Sequence, residues 1–308
     1  MEGRFTAPGK IILFGEHAVV YGKPAIAIPV SGMRATAWSE PGENGITINA
    51  MDVNKKFKLS TDRNQFSVLA QSILAITDKR EPNLTINLTS KLPQGSGMGS
   101  SAATSTAVCR ALSGHLGVDL DANEISELVF EAEKIVHGTP SGIDNTVVAY
   151  EMPVYFIKGQ NPETFEPGKL FRLVIGDTGI EAPTKETVAN VRKAWQNEPG
   201  LMEGYFDEIE KITRNGKIAI ENGNAEQVGE LMDKNHELLN SIGVGHKILE
   251  ELVEIAREKG ALGAKLTGGG GGGNMVALAE DKETQKKICE AITEAGYSAY
   301  QTSFGEQV

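Results

Sequence analysis

The stretch that decides the fold is Pro93-Gln-Gly-Ser-Gly-Met-Gly-Ser-Ser-Ala102, which leads directly into the Ala- and Ser-rich run Ser100–Leu116. The run is helical by propensity. Glycines permit positive φ and let backbone N–H groups face a ligand, and a helix N-terminus carries partial positive charge. Phosphate is therefore the natural ligand of this glycine-rich loop. From the residues alone, a tight turn without a ligand is the alternative.

Two well-known phosphate motifs do not fit this loop. A Walker A sequence ends in Lys-Ser or Lys-Thr, whereas this loop ends in Gly99-Ser-Ser. A dinucleotide fingerprint needs Gly-x-Gly-x-x-Gly, and the spacing here is Gly95-x-Gly97-x-Gly99. The spacing therefore disfavours a nicotinamide- or flavin-dependent oxidoreductase.

Composition narrows the class of protein. The chain has 308 residues, 40% of them hydrophobic and 23% charged, with a net charge of −11. That length predicts two domains, and the negative charge argues against nucleic acid or an anionic membrane as a partner. The two cysteines, Cys109 and Cys289, are expected to be reduced thiols. No signal peptide or membrane-spanning run is recognisable, so we expect a cytoplasmic protein.

Periodicity predicts a mixed α and β chain. Short β-branched runs dominate up to about residue 90, and Leu84-Thr-Ile-Asn-Leu-Thr-Ser alternates as a half-buried strand does. Amphipathic helices dominate the second half, with further strand-like runs between and after them. The predicted helices are 65–77, 100–116, a helix from about 121 to 138, 185–196, 201–221, 225–242, 246–259 and 281–295. The predicted strands of the second half are 171–176, 264–266, 274–279 and 297–304.

The helix that begins at Asp121-Ala-Asn-Glu124 is followed by the loop Thr139-Pro-Ser-Gly-Ile-Asp-Asn145. Its start resembles a capping box, and Gly138 is expected to end it. Glu133 lies at the flank of the apolar stripe, so a solvated position is its simplest interpretation. Asp144 lies in a Pro- and Gly-rich loop, where Asp commonly caps a turn.

The tract Gly268–Gly273 is the only low-complexity segment of the chain. A run of glycines is usually a flexible linker. Here it lies between Lys-Leu-Thr267 and Asn274-Met-Val-Ala-Leu, which read as strands. That context indicates a backbone that approaches another group closely.

Three segments, in order, resemble the motifs of the GHMP kinases. Ala7-Pro-Gly-Lys-Ile-Ile-Leu-Phe-Gly-Glu-His-Ala-Val-Val-Tyr-Gly22 is similar to the first motif, the glycine-rich loop to the second, and Lys265-Leu-Thr-Gly-Gly-Gly-Gly-Gly-Gly273 to the third. Glu133 and Asp144, eleven residues apart, resemble the acidic pair of the family. Because these matches span residues 7 to 273, the resemblance covers nearly the whole chain.

The resemblance implies an α+β, two-domain GHMP kinase fold. Residues 1–170 would form an N-terminal ATP-binding domain similar to the second domain of ribosomal protein S5. Residues 171–308 would form a ferredoxin-like C-terminal domain. The segment Gly15-Glu-His-Ala-Val-Val-Tyr-Gly22 looks most like the members that phosphorylate mevalonate. ATP and mevalonate are therefore the expected partners, with Mg²⁺ as cofactor.

The resemblance also assigns roles to residues of this chain. Asp144 would accept the proton of the substrate hydroxyl beside Lys10, and Glu133 would hold Mg²⁺ with Ser101 as the first choice of hydroxyl and Ser100 as the second. Four residues would bind substrate: Glu16, His17, Ser141 and Thr184. The ATP-binding residues would be Pro93, Gly95, Ser96, Gly97, Met98, Gly99, Ser100, Ser101, Ala102, Gly268, Gly269 and Gly270. Without the resemblance, Lys10 reads as an exposed lysine and His17 as a structural hydrogen-bonding residue.

Two positions depart from the family pattern, and two other functions stay open besides the disfavoured oxidoreductase. Gly269 stands where the family usually has Ala, and Asn274 where members that phosphorylate mevalonate often have Cys. Another small-alcohol kinase of the family, such as phosphomevalonate kinase, would need extra basic residues for a second phosphate. A non-catalytic ligand sensor would be expected to lack Lys10, Glu133 or Asp144. A homodimer is compatible with the sequence, which contains no specific signal for one.

Overall fold

The structure, a computed structural model, describes residues 3–77, 80–93, 97–138 and 140–305. The chain divides into two compact units, each built from separate stretches of sequence. The first unit comprises Met1–Lys10, Met33–Pro93 and Met98–Glu151. The second comprises Ile11–Gly32, Gln94–Gly97 and Met152–Val308. The predicted domain division between residues 170 and 171 stays a prediction.

The described part of the chain contains both strands and helices. The strands are β1 (Phe5–Phe14), β2 (Ala25–Pro41), β3 (Ile46–Ala50), β4 (Lys55–Lys58), β5 (Leu84–Ser90), β6 (Val154–Phe156), β7 (Glu163–Thr164), β8 (Phe171–Asp177), β9 (Gly263–Thr267), β10 (Asn274–Ala279) and β11 (Ser298–Phe304). The helices are α1 (Gln65–Thr77), α2 (Ser100–Leu116), α3 (Ala122–His137), α4 (Ile143–Tyr150), α5 (Thr184–Asn197), α6 (Pro199–Glu221), α7 (Ala225–Ser241), α8 (Lys247–Glu258) and α9 (Lys282–Glu294). Short 3-10 helices cover Ala18–Tyr21 and Met51–Val53.

The first unit is a twisted sheet covered by helices. Its strands run in the order β4, β3, β5, β2, with β3 and β5 parallel and the other pairs antiparallel. The alternation in β5 buries Leu84, Ile86 and Leu88, which is the pattern of a strand with one face on the core. Helix α3 packs against α1, α2 and α4, and α2 also packs on β5. This packing fixes the beginnings of α2 and α4.

The second unit contains an antiparallel sheet in the order β11, β8, β10, β9. Asn274–Ala279 pairs with β8 on one side and with β9 on the other, so β10 is buried along its whole length. Helices α7, α8 and α9 pack on this sheet, around a core that includes Phe206, Leu249 and Leu266. The glycine tract connects β9 to β10, so it is the turn of a hairpin and the linker reading is wrong.

Most predicted elements are confirmed, and one is corrected. The capping box of α3 is present, because Asp121 accepts from the Glu124 amide while the Glu124 carboxylate accepts from the Asp121 amide. The loop predicted for residues 139–145 is shorter, since helix α4 already begins at Ile143. Gly142 adopts φ 92° and lets the chain enter that helix, which puts Asp144 in its first turn. Thr139 lies outside the described residues.

Candidate active site

In the first unit, Lys10 and Asp144 form an ion pair with Nζ 3.1 Å from Oδ1. The Lys10 side chain is 8% exposed, whereas that of Asp144 is 36% exposed. The buried cation can therefore hold the carboxylate while the carboxylate still reaches solvent. The interpretation of Lys10 as an exposed lysine is therefore wrong. Asp144 lies in the first turn of α4, and the N-terminus of a helix favours a negative charge.

The end of the glycine-rich loop packs directly on Lys10. The Lys10 amide donates to the carbonyl of Met98 at 2.9 Å. A Cβ at position 99 would lie 2.9 Å from Cγ of Lys10, and Gly99 has φ 69°. Two independent reasons, close approach and left-handed backbone, therefore require glycine here. Gly99 is also the N-cap of α2, so no side chain of that residue satisfies the first-turn amides.

Glu133 is 2% exposed, so the solvated-flank reading is wrong. Ser101 donates to its Oε1 at 2.5 Å. His137, one turn further along α3, lies with Nε2 3.4 Å from Oε2. The hydrogen bond with Glu133 raises the pKa of His137. Asp144 raises this pKa slightly further, and Lys10 lowers it slightly. We call Lys10, Ser101, Glu133, His137 and Asp144 the carboxylate cluster.

A second cluster lies within the second unit and joins the first and third motifs. The Lys265 ammonium pairs with Glu16 and also donates to the Leu266 carbonyl at 2.7 Å. Asn235 of α7 donates to the other Glu16 oxygen at 3.2 Å. Both charged side chains are 0% exposed. Burial raises the pKa of Glu16 and lowers that of Lys265, and their mutual attraction opposes both shifts.

His17 is buried and makes one long-range hydrogen bond. Its Nε2 lies 3.0 Å from the carbonyl oxygen of Gly269. A carbonyl only accepts, so Nε2 carries the proton. Burial lowers the pKa of His17, which favours the neutral ring. In that tautomer Nδ1 is an acceptor, so His17 can receive a hydrogen bond from a hydroxyl and is unsuited to a carboxylate.

Thr184, the first residue of α5, lies against the glycine tract. A Cβ at position 269 would be 2.6 Å from its Oγ1 and 3.1 Å from its Cα. Every glycine of the tract except Gly269 has positive φ. Gly269 is therefore required by space rather than by backbone conformation. We call Glu16, His17, Thr184, Lys265 and Gly269 the histidine cluster.

The remaining predicted residues differ in burial and in backbone conformation. Ser141 is exposed, and its Oγ accepts from the Ile143 amide at 3.3 Å. Met98 and Ala102 are buried, so neither is accessible to a nucleotide in this structure. Gly97, Gly268 and Gly270 have φ of 75°, 84° and 70°. Pro93 and Ser100 are half-buried, and Gly95 and Ser96 lie outside the described residues.

Sequence reasoning missed two residues of these clusters. His137 lies four residues after Glu133, a helical neighbour spacing that could have revealed it. Lys265 lies within a strand whose residues are all buried. A lysine between Ala264 and Leu266 in a predicted strand is a signal of a buried ion pair, but the sequence does not reveal the partner of that lysine.

A buried cation beside an accessible carboxylate, together with a helix start capped by glycine, is typical of an enzyme of phosphoryl transfer. The pattern described as "GHMP kinases N terminal domain" matches residues 67–151, and "GHMP kinases C terminal" matches residues 217–298. The chain belongs to the GHMP kinase family. Its α+β, two-domain fold is the one that the sequence predicted.

Particular relatives extend the family assignment. The mevalonate kinase of Thermococcus gammatolerans is 40% identical, over 94% of this chain and 92% of its own length. The structure of L. major mevalonate kinase in complex with R-mevalonate has a TM-score of 0.84 and 29% identity, with coverage of 98% and 96%. Methanococcus jannaschii mevalonate kinase has a TM-score of 0.85 and 27% identity, with 98% of both chains covered.

The described residues contain neither a membrane-spanning helix nor a large group of metal-ligating side chains. None of the helices in that part of the chain combines the length and apolar character needed to cross a membrane. Over the same residues, no group of three or more His, Cys, Asp or Glu side chains converges as a metal site. A metal held by fewer side chains and by substrate phosphates is compatible with this result.

Proposed function

We propose that this protein is a mevalonate kinase. It transfers the γ-phosphoryl group of ATP to the C5 hydroxyl of (R)-mevalonate and yields 5-phosphomevalonate and ADP, an early step of isoprenoid synthesis. The observation that carries the proposal is the Lys10–Asp144 ion pair, with a buried cation and an accessible carboxylate. A relative that aligns over 94% of this chain at 40% identity is named mevalonate kinase, which supports mevalonate as the acceptor.

In the proposed reaction, Asp144 accepts the proton of the C5 hydroxyl. The hydroxyl oxygen forms a bond to the γ-phosphorus while the bond from that phosphorus to the β,γ-bridging oxygen breaks. Lys10 holds Asp144 in place through the ion pair and neutralises charge on the transferring group. Because phosphoryl transfer proceeds through a loose transition state, positioning and charge neutralisation contribute more than proton removal.

The residues around Glu133 fit a magnesium ion. Mg²⁺ prefers oxygen ligands and is commonly held by one or two carboxylates together with substrate phosphates. A buried carboxylate whose described partners are the Ser101 hydroxyl and the half-exposed imidazole of His137 matches that donor set. Glu133 and Ser101 would hold the ion, and bound Mg²⁺ would neutralise phosphate charge. The glycine-rich loop and the N-terminus of α2 would bind the phosphates themselves.

The histidine cluster supports a role in acceptor recognition. Mevalonate carries a carboxylate, a tertiary hydroxyl and the reacting primary hydroxyl. His17 would accept a hydrogen bond from a hydroxyl through Nδ1, because its Nε2 proton already binds Gly269. Thr184, which is exposed, is the proposed donor to another of these oxygens, and the substrate role of Ser141 stays a prediction. Glu16 is 1% exposed, so its contribution is indirect.

A double-mutant cycle at positions 10 and 144 tests the proposal. Asp144→Asn keeps the shape but cannot accept a proton, so kcat should fall about 10²–10⁴-fold while the KM for ATP changes little. Lys10→Met should also lower kcat, and the double variant should lose less than the product, since the two residues act as a unit. The exposed Asp119→Asn is the matched control. Independent, multiplicative losses would contradict the pairing.

A further inference from the structure

The buried pair Glu16–Lys265 has no role in the mechanism as described. Its two side chains are 0% exposed, and their described partners are each other, Asn235 and the Leu266 carbonyl. A wholly buried ion pair is weak evidence for stability, because well-packed apolar residues often serve as well or better. A fixed arrangement of charges does, however, specify the relative positions of the two segments that carry them. Those segments are the first and third motifs.

On the Glu16 side, the segment held in place is a strained turn. His17 adopts φ 60° and ψ −48°, and the Ala18 amide donates to the Glu16 carbonyl at 2.7 Å. This is a γ-turn with positive φ, a rare and strained conformation for a residue with a side chain. Such strain persists only where the surroundings fix both ends of the turn.

The far end of the turn is fixed by packing. Ala18 is completely buried, and Tyr21, at the end of the 3-10 helix, stacks on Phe206 with ring centroids 4.3 Å apart. The near end has Glu16, whose carboxylate is tied to Lys265 and Asn235. Without that tie, the chain on the N-terminal side of His17 could rotate and release the strain.

On the Lys265 side, the segment held in place leads to Gly269. Three contacts join the two motifs in sequence: Thr267 donates to the Ile12 carbonyl at 2.7 Å, Lys265 pairs with Glu16, and His17 bonds to the Gly269 carbonyl at 3.0 Å. Along the first segment the ion pair lies between the other two contacts, directly before His17, and along the third segment it precedes both of them. It therefore sets the register on which the His17–Gly269 hydrogen bond depends.

We propose that Glu16 and Lys265 form a buried clamp that holds His17 in its strained turn and thereby orients its imidazole toward mevalonate. Lys265 and Glu16 are then positioning residues for the acceptor, which act through His17 and do not touch the substrate. This inference rests on the proposed function, since it assigns the acceptor to the histidine cluster.

Glu16→Gln/Lys265→Met tests the clamp, because it removes both charges with little change of shape and leaves no unpaired ion. We expect a thermal midpoint close to that of the wild type, an at least 10-fold higher KM for mevalonate, and a KM for ATP within 2-fold. Lys217→Met is the control, since it breaks two ion pairs of the second unit at a half-exposed site. It should leave both KM values unchanged.

Glu16→Asp provides a second variant in case the double substitution does not fold. It keeps both charges and shortens the arm by one methylene, so the pair survives only if residue 16 moves. The same selective rise in the KM for mevalonate is expected, together with a shift of the His17 ring resonances in ¹H–¹⁵N spectra. In the wild type those spectra should show the Nε2-protonated tautomer.

A folded clamp variant with wild-type KM for mevalonate and unchanged His17 resonances would overturn the inference, because the pair would then be purely structural. An equal loss of ATP and mevalonate affinity would also overturn it. Failure of the proposed function looks different, since the wild-type protein itself would not phosphorylate mevalonate. The ring resonances report on the clamp in either case.

Discussion

Gly269 is the residue at which the histidine cluster is most tightly constrained. Its carbonyl accepts from His17, and its Cα faces Thr184 so closely that a Cβ would lie 2.6 Å from the threonine Oγ1. Its φ lies outside the left-handed region, so alanine is compatible with the backbone. A substitution here therefore tests space alone.

Gly269→Ala should displace Thr184 and raise the KM for mevalonate about 10-fold. Thr184→Ala removes the oxygen at 2.6 Å and leaves Cα and Cβ at 3.1 Å, so adding Gly269→Ala to Thr184→Ala should cost much less than adding it to the wild type. That corresponds to a coupling within the roughly 0.5–3 kcal/mol seen for residues in contact. Steady-state kinetics of the four proteins provide the cycle. Gly200→Ala is the control, because a Cβ there would have no described atom within 4 Å beyond its chain neighbours and the nearby backbone of its own helix. Strictly additive effects would show that the two residues do not interact.

Glu133 can be tested against a neighbour on the same helix. Glu133→Gln should lower kcat about 10²-fold and raise the Mg²⁺ concentration needed for half-maximal rate, because charge stabilisation worth a few kcal/mol is lost. Glu131 is exposed and pairs only with Lys134 among the contacts described, so Glu131→Gln should leave the Mg²⁺ titration unchanged. Identical titrations for the two variants would rule out the metal role of Glu133.

At the scale of an element, helix α2 carries glycine at both ends. Gly99, its N-cap, has φ 69° and Gly117, its C-cap, has φ 65°. Alanine in left-handed backbone costs roughly 1–2 kcal/mol at either end. Only at position 99 would the new Cβ also meet another side chain, at 2.9 Å from Cγ of Lys10, whereas none of the described atoms lies within 4 Å at position 117.

Gly99→Ala and Gly117→Ala should therefore both lower the thermal midpoint, Gly99→Ala by at least as much as Gly117→Ala, and they should differ in activity. We expect Gly99→Ala to lose most of its kcat and to bind ATP more weakly, because Lys10 and the first-turn amides of α2 are displaced. Gly117→Ala should keep both parameters. Equal activities in the two variants would mean that the glycine-rich loop is only a turn.

Elements with strong local signals were predictable from sequence. The bounds of α1 and α2, the capping box of α3 and strand β10 agree with the prediction because propensity, caps and periodicity act locally. The beginning of helix α4 was predicted to be a loop, because Pro140 and Gly142 are typical loop residues. The positive φ of Gly142 is what allows the helix to begin at Ile143. Burial of Glu133 and the partner of Lys265 depend on contacts far apart in sequence, and periodicity carries no information about them.

At the scale of the whole molecule, buried neutral histidines make stability depend on pH. Burial lowers the pKa of His236 below its ordinary value of 6.5, partly offset by Glu250, and the Leu266 amide donates to its Nδ1 at 3.3 Å. Between the lowered folded value and the unfolded one, the unfolded chain binds more protons, so stability rises with pH. The contribution is complete above about pH 6.5 and is lost as pH falls through the folded pKa.

His236→Gln removes this titration and should flatten the acid limb of the stability curve. Thermal midpoints of both proteins between pH 5 and 8 measure the effect. The wild type should lose more stability than the variant below about pH 6.5. Burial also lowers the pKa of His17, so both proteins should keep part of the dependence of stability on pH. A difference that stays constant across the range would mean that His236 titrates alike in folded and unfolded chains.

The net charge of −11 makes acceptor choice the sharpest test of the whole account, since an acidic protein must recognise an anionic acceptor through a few placed groups. A site built on hydrogen bonds discriminates well, because a wrong substrate leaves buried polar groups unpaired. The measurement is kcat/KM, from ADP release with ATP and Mg²⁺, for mevalonate, phosphomevalonate, homoserine and galactose. Mevalonate should exceed each of the others by at least about 10²-fold. A higher kcat/KM for any other acceptor would contradict the assignment.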